Sequence, residues 1–192
     1  IKWRVNVFID KLYMILLCLM ILQILIFIKY SRKIKSDVAS SIVKCLIFTI
    51  VTILSNGLYD FSGNETFSYI MEALYRFSFD LMLIYVLQYS QQYTRVFHEV
   101  SPFKKGCFII AYLDGILLFL NIIFHNVFTI ETVRFPNFDM YHVADKSIIF
   151  YFHYVFAYGL VFCIIASFII KIIQIPDFYR KKYLPILVLM CV

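Results

Sequence analysis

The chain has 192 residues, of which 62% are hydrophobic and 19% aromatic, a formal net charge of +6 and a mean hydropathy of +0.84. Length fits one domain, and so much apolar surface exceeds what a soluble domain of this size can bury. The positive charge does not indicate a nucleic-acid-binding face, because the basic residues lie in short loops between apolar runs, a topology signal. The predicted fold is therefore all-α, one polytopic transmembrane helix bundle over residues 1–192 with about six helices, the last truncated.

Taken in chain order, five runs approach the roughly 20 residues that cross a bilayer: Leu12 to Ile28, Val38 to Leu58, Phe67 to Tyr89, Gly106 to Phe128 and Ser147 to Ile173. A sixth begins near Tyr183 and stops at Val192, so the chain reads as a piece of a longer protein. The first run is no signal peptide, because Lys2-Trp3-Arg4 lies well before it and no small-residue cleavage site follows. Loop charge sets the orientation. Lys29 to Asp37 holds four basic residues, Gln91 to Lys105 three and Lys171 to Lys182 four, whereas Tyr59 to Thr66 has none and Asn126 to Lys146 has two. The basic side is cytoplasmic by the positive-inside rule, which predicts a multi-pass cell-membrane protein with its N-terminus outside. Lys2, Arg4 and Lys11 run against that rule and are outvoted by the later loops.

Polar residues inside the apolar runs are the candidates for function, since a charge near the centre of a bilayer costs at least about 2.5 kcal/mol. Glu72, Arg76 and Asp80 are spaced i, i+4, i+8 on one face of the third helix, where Arg76 can pair with either carboxylate. They read either as a ligand site or as a neutralised ladder that fixes packing. Asp114, Asn121 and His125 share a face of the fourth helix. Glu72, Arg76, Asp80, Asp114, Asn121 and His125 together form the predicted ligand-binding set.

Other features carry less. His125, His142 and His153 gather toward the outer side with Glu131, Asp139 and Asp145, but no HxH or HExxH spacing is present, so no metal ligands and no cofactor are predicted. Cys18, Cys45, Cys107, Cys163 and Cys191 fall in or beside apolar segments and read as apolar fillers. Asn64-Glu65-Thr66 fits the glycosylation pattern in a loop too close to the membrane to suggest use. Tyr85, Tyr89 and Tyr93 read as an interfacial aromatic belt. Catalytic signatures such as GxSxG, GxxxxGK[ST] and CxxC are absent from the sequence, so no catalytic residue is predicted, although Asp80 and Asp114 are of the type that can share a proton.

Four stretches carry a resemblance: Ala73-Leu-Tyr-Arg-Phe-Ser-Phe-Asp80, Leu117-Leu-Phe-Leu-Asn121 followed by His125 and a long outer loop, Phe150-Tyr-Phe-His-Tyr-Val-Phe-Ala-Tyr158, and the basic turn Phe178-Tyr-Arg-Lys-Lys182. In this order, from Phe67 to Val192, the chain resembles the seven-helix sensor region at the N-terminus of some bacterial histidine kinases and diguanylate cyclases. The resemblance implies membrane sensing upstream of a cytoplasmic output domain. The expected function is thus the sensor or receptor region of a signalling protein, with the lipid bilayer, a small ligand and a second copy of the chain as partners. The rival is a transporter or channel subunit whose polar path is lined by Glu72, Arg76, Asp80 and Asp114.

Overall fold

The computed structural model describes residues 2–60, 64–95, 101–135 and 138–174. Five helices and one hairpin follow in order: α1 Lys2–Ser31, α2 Asp37–Asp60, α3 Glu65–Thr94, α4 Ser101–Phe124, β1 Phe128–Phe135, β2 Phe138–Lys146 and α5 Ile148–Gln174. The sixth expected run and the basic turn at 178–182 lie outside the described residues.

Local chemistry marks the starts of α2 and α3 and the ends of α3 and α4. The Ser36 hydroxyl accepts from Ala39 N at 3.1 Å to cap α2, and Asp37 in its first turn complements the positive end of the helix dipole. Asn64 caps α3 through Phe67 N at 3.3 Å, with Glu65 in the first turn. At the other ends, Arg95 closes α3 at φ 57° and His125 closes α4 at φ 49°, both left-handed C-terminal conformations.

α3 is the axis of the bundle, packing on α2, α4 and α5 and touching β1. α1 packs on α2 at the edge, and between Leu12 and Ser31 only Leu17 and Ile28 are buried. The segments Leu12–Ser31, Asp37–Tyr59, Pro102–Phe124 and Ile148–Gln174 are long and apolar enough to cross a membrane. Their outward faces are correspondingly greasy, with Ile123, Val155, Tyr158, Phe162 and Ile173 exposed. α3 is more polar and is packed among α2, α4 and α5 instead, so its buried charges Glu72, Arg76 and Asp80 are enclosed by protein.

One expectation is corrected. The all-α expectation broadly fits, but residues 126–146, expected to be a long outer loop, contain an antiparallel two-stranded sheet. Phe128-Thr-Ile-Glu-Thr-Val-Arg-Phe135 is rich in β-branched and aromatic residues, and Pro136-Asn137, residue types that favour tight turns, separate it from the second strand. Ile130 pairs with Val143 and Thr132 with Tyr141. The hairpin lies where α3 begins, α4 ends and α5 begins, and its root is packed in a cluster of Tyr69, Ala73, Leu118, Val127, Phe128, Ile130 and Phe150. The opposite half of the bundle is filled by Leu81, Ile84, Leu87, Ala111, Leu160, Ile164 and Phe168.

A candidate functional site buried among three helices

Asp80 of α3, Asp114 of α4 and His153 of α5 meet in the interior, exposed by only 0%, 3% and 3%. His153 Nδ1 is 2.8 Å from Asp114 Oδ2 and 3.3 Å from Asp80 Oδ2. The shorter approach is a hydrogen bond. The longer one is an electrostatic contact, and neither oxygen of Asp80 has a hydrogen-bond partner. Three helices thus converge on two carboxylates and one imidazole.

The charges one and two turns nearer the hairpin form a separate unit. Arg76 donates to Glu72 Oε1 through Nε at 2.8 Å and Nη2 at 2.5 Å, and both residues are buried. Its guanidinium also lies 4.2 Å from the Phe150 ring centre and 5.5 Å from that of Tyr154, a favourable placement over the aromatic faces. The expected three-membered ladder is therefore split. Arg76 pairs with Glu72 and not with Asp80, because α4 and α5 offer Asp80 a different set of neighbours.

Asn121 and His125 part company as well. Asn121, fully buried, holds the root of the hairpin: its Oδ1 accepts from Val127 N at 2.7 Å and Phe128 N at 3.3 Å, and its Nδ2 donates to Phe128 O at 2.8 Å. It positions the hairpin and does not touch the charged cluster. His125 is exposed at the end of α4, its ring 4.5 Å from that of Tyr69. The shared face predicted from spacing ends at the helix terminus, where the left-handed backbone of His125 turns the chain away.

Two residues missed in the sequence complete the picture. His153, grouped by sequence with the outer histidines, belongs instead with Asp80 and Asp114; the signal was a lone imidazole within an otherwise apolar helix. Tyr69 had no sequence signature; its hydroxyl accepts from Ile130 N at 2.9 Å and ties α3 to β1. His142 and Glu131, cross-strand partners on the hairpin, are exposed and apart from the site.

The donor set, two carboxylate oxygens and one imidazole nitrogen all within 4.8 Å of one another, is chemically able to hold a proton or a cation. Placed between three helices, either would change the electrostatic attraction among them. No protein-family model matches the chain, and no curated protein matches it in sequence.

Proposed function

We propose that this chain is the membrane-embedded input region of a signalling protein, in which occupancy or charge at Asp80, Asp114 and His153 biases the arrangement of α3, α4 and α5. Bringing like charges together out of water costs several kcal/mol, so a change of one charge at this point is large enough to shift a helix equilibrium by a few kcal/mol. The hairpin, fastened by Asn121 and Tyr69, closes the bundle over that side.

The observation that favours sensing over transport is the composition of the half of the bundle away from the hairpin. Between the charged cluster and the far ends of α3, α4 and α5 lies a continuous apolar core. The hydroxyls of Ser90, Thr94 and Ser167 in that half are directed to carbonyls of their own helices. A transporter needs a polar path that reaches both faces in alternation, and such a core interrupts one.

The test joins the chain to a cytoplasmic reporter and measures flux in proteoliposomes in parallel. Asp80→Asn or Asp114→Asn should alter the reporter output without moving solute. Flux by the wild type that either substitution abolishes would instead establish the transporter.

A further inference from the structure

We propose that Asp80, Asp114 and His153 bind a divalent first-row transition-metal cation, of which Zn²⁺ and Co²⁺ are representatives. The inference deepens the sensor reading by naming the ligand class, but its test is binding alone.

Geometry is the first support. Around one ion with bonds of about 2.0–2.1 Å, tetrahedral donors lie about 3.4 Å apart. His153 Nδ1 is already 2.8 Å from Asp114 Oδ2 and 3.3 Å from Asp80 Oδ2, and all three donor atoms fall within 4.8 Å of one another. Small side-chain rotations would bring the three separations to that value. The helices supply one donor each, so the ion would tie α3, α4 and α5 together at one point.

A second, independent observation is the state of Asp80. Its side chain is fully buried, turned toward His153, and neither of its oxygens has a hydrogen-bond partner. A carboxylate removed from water without a donor is costly unless something positive occupies its lone pairs. Arg76 does not serve, since its guanidinium is committed to Glu72 and the Phe150 ring. A metal ion would supply what is missing.

Chemistry narrows the class. Imidazole nitrogen suits zinc, copper, iron and nickel, while carboxylate oxygen suits manganese, calcium and magnesium, so a mixed set favours borderline divalent ions over hard ones. Magnesium is disfavoured further by its demand for octahedral oxygen. Coordination would use the Nδ1 lone pair, so the hydrogen bond to Asp114 is given up and the proton released, leaving both carboxylates free to ligate.

The experiment uses the full chain, purified in detergent and stripped with chelator. On titration with Co²⁺, the wild type should develop visible ligand-field absorption that saturates at one ion per chain and is displaced by Zn²⁺ but not by Mg²⁺. Asp80→Asn and His153→Gln should weaken binding by about a hundredfold or more, the upper end of what losing even an outer-sphere partner costs. Asp80→Asn also controls for folding: it keeps the shape of the side chain, so without metal it should melt close to the wild type while losing the Zn²⁺-induced rise in melting temperature. Absence of saturable Co²⁺ and Zn²⁺ binding by the wild type, as expected if a proton shared by the carboxylates satisfies the site, overturns the proposal; so does equal binding by Asp80→Asn. Binding without any reporter response would leave the metal site standing and defeat the sensor reading instead.

Discussion

Replacing Asn121 with Leu should detach the hairpin from the bundle. The side chain is of similar size, so packing is nearly preserved and the loss is one of hydrogen bonds. Val127 N–H, in a residue 2% exposed, has Asn121 Oδ1 as its acceptor at 2.7 Å; orphaning a buried donor costs about 1–3 kcal/mol. The bonds to Phe128 N and Phe128 O, at 3.3 and 2.8 Å, are each worth about 1 kcal/mol. The expected destabilisation is therefore about 3–5 kcal/mol. Asn121→Asp should fall between wild type and Leu, because the carboxylate still accepts from the two amides but faces the Phe128 carbonyl without a donor. Unfolding of the purified protein in mixed micelles gives the energy, and protease cleavage within 128–146 reports on the hairpin directly. If Asn121→Leu stays within about 0.5 kcal/mol of wild type and cleavage does not rise, the hairpin is not held by this residue and the reasoning fails.

Arg76→Ala should destabilise by about 3–5 kcal/mol, because it strands a buried Glu72 carboxylate, and most of that loss should return in the Glu72→Ala/Arg76→Ala double variant; a double variant as weak as the single would show the pair is not isolated from Asp80. At Gly115 an added Cβ collides with the Phe77 ring, whereas at Gly57 it meets only Leu17 Cδ1, at 2.8 Å. Melting temperatures should thus rank Gly115→Ala well below Gly57→Ala, the former costing about 1–3 kcal/mol of overpacking. For orientation, in a background without native cysteines, His142→Cys should react with an impermeant thiol reagent on intact cells and Lys33→Cys only after lysis; the reverse pattern would invert the topology.

Much of the fold was legible because lipid-compatible helices announce themselves by length and hydropathy. The run Leu12 to Ile28 lies within α1, and Val38 to Leu58 within α2. The hairpin was not legible as such, since the low charge of Asn126 to Lys146 marks only an outer segment, and its short run of Thr, Ile, Val and Phe does not by itself fix strand pairing. Of the site, periodicity placed Asp80 and Asp114 inward, and both are buried. What it could not supply was the partnering. A spacing of four residues makes Arg76 equally near Glu72 and Asp80 along one helix, and the choice is made by α5, which brings Phe150 over the guanidinium and His153 to the second carboxylate. Contacts between helices far apart in sequence are set by packing, which no local pattern records.

The central claim is that the state of Asp80, Asp114 and His153 governs how the helices are arranged at the far end of the bundle. It is tested most directly by electron paramagnetic resonance distances between spin labels at the exposed residues Arg95 and Gln174, beyond α3 and at the end of α5, in a background without native cysteines. Asp80→Asn, or saturation of the wild type with Zn²⁺, should shift the distance distribution by about 1–2 Å or more, the scale of helix shifts in switching proteins. Identical distributions in all three states would contradict the account, leaving the cluster as a packing device alone.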